Sequence, residues 1–278
     1  MPEGDTIHRA AVRLGRVLGG RVLERSDFRV PALATADLAG ERIDEVRSVG
    51  KHLLMRGERW TIHSHAGMDG LWHVLEPGRR APVATHTIRV VLTTAEHEIV
   101  GSSLPVLELL PRERDLEAVA HLGPDLLDPA WDAAMAAEAV RRLRATDDPV
   151  GVALLDQRAV AGLGNVFRGE LCFLRGLHPV TPVAEVELEP LVALARRLMV
   201  ANRDRTERTF TGDTRSGRRT WVYGRGGRPC LRCGTKIRDA MLGKEDGMLR
   251  QVQWCPRCQP EPPSAPTNRV DASPRATR

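Results

Sequence analysis

Apolar residues recur at Ile7, Ala10, Ala11, Leu14, Val17 and Leu18, the spacing of a helix with one buried face, with Asp5 or Thr6 where an N-cap is expected. From about Arg21 to Val100 the pattern changes to short β-type runs, such as Thr61-Ile62-His63 and Thr87-Ile88-Arg89-Val90-Val91-Leu92, broken by Gly- and Pro-containing turns. One helix opening a largely β domain is the expected result. The stretch Leu110–Asp132 reads as a charged, proline-bearing connector, and helical spacing returns at Ala133–Arg144, Val150–Val160, Asn165–Arg175 and Glu189–Ala201. From Gln259 onward the chain holds five prolines and no core-forming period, so a disordered tail is expected. The class is α+β, in two domains.

Composition narrows the function classes. A chain of 278 residues with 42% hydrophobic and 28% charged residues is ordinary for a soluble globular protein. No apolar run approaches the roughly 20 residues that span a bilayer. The opening Met1-Pro2-Glu3-Gly4-Asp5 is acidic and lacks an apolar signal core, which points to a cytoplasmic protein.

Charge is unevenly placed. Residues 200–258 carry 14 Lys/Arg against 6 Asp/Glu, whereas residues 1–199 carry 24 against 28. A basic excess concentrated in one late segment suits a phosphate-binding surface, and a solvated Arg-rich face is the plainer alternative. Only Lys51, Lys236 and Lys244 are lysines, so each hints that a compact ammonium or primary amine is wanted there.

Four of the five cysteines form Cys230-x2-Cys233-x21-Cys255-x2-Cys258. Each pair is a knuckle presenting two thiolates to one tetrahedral ion, and two knuckles close a site around one structural zinc ion with no open position for catalysis. The stretch between them reads as a β-hairpin with Gly243 and Gly247 near its turns, carrying Lys236, Arg238, Lys244 and Arg250. Arg250 falls on the returning strand, where it is available to a phosphate. Cys172, within Leu171-Cys172-Phe173-Leu174, reads as a core residue. His63 and His65 alternate along a strand, but without a third ligand nearby they read as structural.

In Asp156-Gln157-Arg158-Ala159-Val160-Ala161-Gly162-Leu163-Gly164-Asn165-Val166-Phe167 two glycines permit tight turning before a helix that opens at Asn165. The first amides of such a helix form an anion site suited to a DNA phosphate.

Three separated stretches then agree. MPEG at the start, DQRAVAGLGNVFRGELCFLRGLHP at 156–179 and VYGRGGRPCLRCGTKI at 222–237, with RQVQWCPRCQ at 250–259, resemble the formamidopyrimidine-DNA glycosylase/endonuclease VIII family. The resemblance runs from Met1 to Gln259. It implies an N-terminal β-sandwich over 1–118, a connector at 119–132, a helical domain with a helix–two-turn–helix motif at 133–222, and a zinc finger at 223–260. A disordered tail at 261–278 completes the expected layout. Damaged DNA is the implied partner, held in the cleft between the domains, with no membrane and a monomeric chain.

Carried over residue by residue, Pro2 matches the nucleophile, Glu3 the acid beside it, and Lys51 in Val49-Gly50-Lys51-His52-Leu53 the lysine of the β domain, which contacts phosphate or assists at the sugar. Asn165 and Arg250 match phosphate-contacting residues, and Met68 resembles a side chain that fills the gap left by an extruded base. A buried core methionine is the alternative for Met68.

The chemistry is coherent. Removal of the initiator Met leaves Pro2 as a terminal amine, and an α-amine, with a reference pKa of about 7.7–8.0, is partly neutral at pH 7. The helix start nearby disfavours positive charge. Attack at the sugar C1′ expels the base and leaves an iminium, which acidifies the C2′ proton and so permits strand cleavage by elimination. Glu3 is the expected proton shuttle, although a helix N-terminus favours its ionised form.

Two departures stand out. Thr6 replaces a second acid found in many members. The Asp-Pro-Arg-Arg-Phe-Gly loop of the 8-oxoguanine-processing branch is also missing, with Val100-Gly101-Ser102-Ser103-Leu104 in its region. The missing loop favours the endonuclease VIII branch and oxidised pyrimidines, while at Thr6 the role of the acid is absent or taken by another group. The alternatives are a non-catalytic lesion- or abasic-site-binding protein on the same scaffold and a general zinc-ribbon nucleic-acid binder.

Overall fold

The structure is a computed structural model that describes residues 2–244 and 248–263. It forms two compact units, which divide between His121 and Leu122. Residues 264–278, most of the expected tail, and Gly247 lie outside the described residues.

The first unit opens with helix α1 (Gly4–Leu18), whose buried face is Ile7, Ala11, Leu14 and Leu18. Nine strands follow: β1 (Arg21–Val22), β2 (Arg25–Phe28), β3 (Arg42–Val49), β4 (His52–Gly57), β5 (Trp60–His65), β6 (Leu71–Leu75), β7 (Ile88–Thr93), β8 (Glu98–Ser102) and β9 (Val106–Pro111). They make a five-stranded sheet in the order β1-β3-β4-β5-β9 and a four-stranded sheet in the order β2-β7-β8-β6. All pairings are antiparallel, so alternate residues point to opposite faces. Leu53, Met55 and Ile62 from one sheet and Val90, Leu92 and Ile99 from the other share one core with the buried face of α1. The β pattern runs past Val100 to Pro111, because β9 pairs along the whole of β5. A short 3-10 segment, 112–119, then closes over the sheet through Asp115.

The second unit contains α2 (Ala133–Arg144), α3 (Val150–Ala153), α4 (Asn165–Arg175), α5 (Leu188–Arg203) and the hairpin β10 (Arg238–Leu242) with β11 (Arg250–Trp254). Leu126 and Leu127 are buried in its helical core, so residues ahead of α2 already belong to this unit. The helix expected over Val150–Val160 stops at Ala153. Asp156 is the reason: its carboxylate accepts from the Arg158 N–H and its carbonyl from Ala159 and Val160, a local turn that competes with helix continuation. Among the described residues no helix is long and apolar enough to cross a membrane.

Candidate functional site

Pro2 is half-buried and leads straight into α1, with Glu3 at the N-cap position. The Glu3 carbonyl accepts from Thr6 and Ile7 at 2.9 and 3.0 Å, while its fully buried carboxyl does not cap the helix. The cap therefore falls two residues before Asp5, the earlier of the two expected candidates, because Gly4 already takes up the helix. Asp5 instead sits inside the first turn, fully buried, accepting the Thr6 N–H at 2.7 Å and lying 3.8 Å from Arg9. Sequence reading passed over this second acid. Its spacing to Arg9 signals an ion pair, but nothing in the pattern signals burial.

Lys51 follows Gly50, whose φ of 57° forms the turn into β4. Its neighbour His52 meets His63 with Nδ1 and Nε2 2.8 Å apart, and His63 Nδ1 meets Glu108 Oε2 at 2.8 Å. The rings of His65 and His121 lie 4.9 and 5.9 Å from that of His52. Burial, then the charges of His65, His63, His121 and Lys51, push His52 down to about 3. Burial and the Lys51 charge lower His65 as well. His63 and His65 are thus joined by two further histidines, which only the strand register could reveal.

Met68 stands 60% exposed on the turn after β5 and is not a core residue. Two glycines shape that turn: Gly67 has φ 58°, and Gly70 donates to the Ala66 carbonyl at 2.7 Å, where a Cβ would strike the Ala66 backbone at 2.4 Å. Leu71 beside it is also exposed, a second apolar residue that sequence reading missed. The link from β8 to β9 is only Ser103–Pro105, with Ser103 at φ 51°. Pro105 packs against Gly67, leaving this connection no length for a protruding loop.

In the second unit, Gln157 stitches the turn before α4, donating to the carbonyls of Leu155 and Leu163 and accepting from Gly162 N–H. Gly162, at φ 98°, makes the reversal. Asn165 begins α4, but its side chain is largely buried. The amide donates to the Gln251 carbonyl at 2.9 Å, and its oxygen accepts from the fully buried Arg168, which also donates to the Gln251 carbonyl at 2.9 Å. Arg250, the first residue of β11, pairs in register with Leu242. The two residues expected to contact phosphate are thereby brought onto one locally tied framework.

Glu170 on α4 adds a second tie. It accepts from the backbone N–H groups of Trp221, Val222 and Tyr223 at 2.7–3.0 Å. Burial pushes its carboxyl up to about 7, against the effect of these three donors and Arg225. Beside the start of α4 a cavity of about 440 Å³ is lined by Val166, Tyr223, Arg208, Arg219, Arg225 and Arg228. The basic excess of residues 200–258 is partly spent here, although no spacing rule singled these arginines out.

The four sulfurs of Cys230, Cys233, Cys255 and Cys258 lie within 4.8 Å of one another, the only such group of three or more possible metal-ligating residues among the described residues. That separation fits a tetrahedral ion with Zn–S bonds of about 2.3 Å. Phe173, Val222 and Ile237 pack around the cysteines, and Arg232 lies over the Phe173 ring at 4.3 Å. Gln259, which composition alone would assign to the tail and the family resemblance to the zinc finger, is fully buried and bridges Cys255 N–H to the Leu177 carbonyl. Cys172 lies in the helical core, and burial pushes its thiol up to about 12.

Comparison with known proteins gives a consistent result. The sequence model of the formamidopyrimidine-DNA glycosylase N-terminal domain matches residues 1–102, and that of the formamidopyrimidine-DNA glycosylase H2TH domain matches residues 122–202. The chain is 49% identical to "Probable endonuclease 8 2" of Streptomyces coelicolor, over 99% of this chain and 100% of that protein. It is 48% identical to "DNA-(apurinic or apyrimidinic site) lyase Nei2" of Mycolicibacterium smegmatis, over 93% and 99%. It is 32% identical to "Endonuclease 8" of Escherichia coli, over 93% and 100%. Among solved structures, the Lactococcus lactis Fpg in complex with abasic-site DNA has a TM-score of 0.77 at 20% identity, covering 93% of this chain and all of that one, a likeness of fold.

Proposed function

The chain belongs to the formamidopyrimidine-DNA glycosylase/endonuclease VIII family, and from that membership we propose that it is a bifunctional DNA glycosylase and abasic-site lyase of base excision repair. The observation that carries this reading is chain-long identity of 48% to a protein named as an abasic-site lyase. The buried acid pair, Glu3 and Asp5, at the head of α1 beside Pro2 supports it.

The reaction follows from the N-terminal turn. The nitrogen of Pro2 bonds to C1′ of the damaged nucleotide as the glycosidic bond breaks, and the base leaves with the electron pair. Ring opening converts the adduct to an iminium, with Glu3 handing a proton to the sugar ring oxygen. Loss of the C2′ proton then expels the 3′ phosphate, and water releases Pro2 from the cleaved product. Asp5 supplies the second carboxyl of this turn, where Thr6 has none. Lys51 carries a positive charge to the sugar–phosphate.

The base must leave the duplex to react, at a cost of a few kcal/mol. Exposed Met68 offsets the lost stacking, with Leu71 beside it. Asn165 and Arg250 hold backbone phosphate. One zinc ion bound by Cys230, Cys233, Cys255 and Cys258 holds the hairpin's shape. Oxidised pyrimidines are the preferred lesions, as the resemblance to the endonuclease VIII branch implies; the relatives named endonuclease 8 and the short β8–β9 link support that branch. The protein acts as a cytoplasmic monomer on damaged DNA.

Borohydride trapping on an abasic-site duplex is the test. A covalent adduct should map to Pro2 by peptide mass spectrometry and disappear when an extra residue ahead of Pro2 makes its nitrogen an amide. Tight abasic-site binding without an adduct would instead identify a non-catalytic lesion binder.

A further inference from the structure

One of the chain's three lysines lies on the hairpin of β10 and β11 and has no part in the reaction as described. Lys244, two residues beyond the end of β10, places its ammonium 2.9 Å from Oδ2 of Asp148, just ahead of α3. Asp148 is itself held in place. Its Oδ2 also accepts from Thr146 Oγ1 at 2.8 Å, and its N–H donates back to that hydroxyl at 3.2 Å. Val150 and Gly151 then donate to the carbonyls of Thr181 and Pro179 at 2.8 and 2.9 Å, which fixes the backbone on which Asp148 sits.

The ion pair closes a ring of contacts. A Cβ on Gly151 would stand 3.0 Å from Leu242 Cδ2, so the Leu242 side chain lies directly on α3. Leu242 is the register partner of Arg250. On the other strand, the Gln251 carbonyl accepts from Asn165 and Arg168, and Arg168 Nη1 also reaches the Gly151 carbonyl at 3.3 Å. The path runs from α3 through Arg168 to β11, across the ladder to β10, and back to the start of α3 through Leu242 and Lys244. Without the ion pair, the β10 side of this end of the hairpin rests on α3 through the apolar side chain of Leu242, which has no directional bond.

We infer that Asp148 and Lys244 are positioning residues for Arg250: their ion pair pins the β10 side of the hairpin end and so presents the Arg250 guanidinium to DNA. The inference rests on the phosphate contact given above to Arg250. The pair is 55% and 23% exposed, and such pairs add little to stability, so its effect falls on geometry. A lysine suits the task because its compact ammonium meets one carboxylate oxygen, whereas the guanidinium of arginine is a planar fork. One variant separates this role from plain electrostatics. Asp148→Asn removes a negative charge from a DNA-binding unit and on charge alone should tighten binding. Loss of the latch should weaken it.

The test is binding of the full-length protein to an abasic-site duplex, titrated at several salt concentrations. Asp148→Asn and Lys244→Met should each raise the dissociation constant about threefold. Their salt slopes should move towards that of Arg250→Ala. The swapped pair, Asp148→Lys with Lys244→Asp, should recover part of the loss. In an Arg250→Ala background, Asp148→Asn should cause no further weakening. Asp148→Asn that binds as well as the wild type or better, or a loss that multiplies with that of Arg250→Ala, overturns the positioning role alone. So does weakening confined to Lys244→Met, which would mark a direct phosphate contact by Lys244. Wild-type binding and salt slope in Arg250→Ala would overturn the reading of Arg250 itself, and the positioning role with it.

Discussion

The side-chain amide of Asn165 donates to the backbone carbonyl of Gln251 at 2.9 Å, tying the first residue of α4 to the strand that begins with Arg250. Arg168 reinforces the tie by donating to both the Asn165 oxygen and the same carbonyl. Asn165 is consequently a strut as well as a candidate phosphate contact. Asn165→Ala leaves the buried Arg168 short of one acceptor, a loss of about 1–3 kcal/mol. We expect a lower melting temperature together with weaker DNA binding. A variant of unchanged stability that binds DNA less well would leave only direct phosphate contact.

Arg250 lies at the hairpin end of β11 and is given a phosphate in the proposed complex. Replacing it with alanine removes one released counterion, so the slope of log K against log salt should become shallower by roughly 0.9. Binding titrations at several salt concentrations measure this. The loss should be similar for damaged and undamaged duplexes, because a phosphate contact carries no sequence or lesion information. An unchanged slope would remove Arg250 from the interface.

These two residues also mark how far the sequence could be read. The spacing of Cys230 through Cys258 marked out a candidate metal site because ligand geometry is local to each knuckle, and the apolar period of residues 7–18 disclosed α1 because one face is buried. The link from Asn165 to Gln251 spans 86 residues and follows no period, so only the folded chain shows it. The cluster around His52 is similar: alternation put His63 and His65 on one face, but His52 and Glu108 join them through strand register. Met68 was ambiguous because an apolar residue between turn glycines can point either way. Its exposure rules out the core reading.

The cysteine quartet predicts a sharp dependence on metal. Cys255 is fully buried among Phe173, Val222 and Ile237, so Cys255→Ser removes a ligand at the centre of the small finger core. The purified protein should fall from one bound zinc per chain to substoichiometric metal, and DNA binding should weaken as the hairpin loses its anchor. Chelation of the wild-type protein should give the same two changes. Full zinc content in Cys255→Ser would contradict the ligand set.

Asp115 supports a prediction about acid stability. Its carboxylate, almost completely buried, takes hydrogen bonds from Arg56 Nε and Thr61 Oγ1, both at 2.7 Å, and lies 3.3 Å from Arg112. Burial alone would raise its pKa, but these donors and the two guanidinium charges hold it below the ordinary value of 3.8. A carboxylate depressed in the folded state stabilises the fold above its unfolded pKa, and that contribution disappears as pH falls through the folded pKa. Asp115→Asn leaves two arginines facing a neutral amide. Removal of one partner of a buried pair costs about 3–5 kcal/mol, and the lower end applies here because Glu45 still holds Arg56 at 3.1 Å. Thermal unfolding measured from neutral pH downward should show the gap between wild type and Asp115→Asn to be widest near neutrality and to shrink below about pH 4, where the carboxylate of the unfolded chain begins to bind a proton that the native one still resists. A gap independent of pH would mean that Asp115 acts through packing, and its charge would then have no part in holding the 112–119 segment on the sheet.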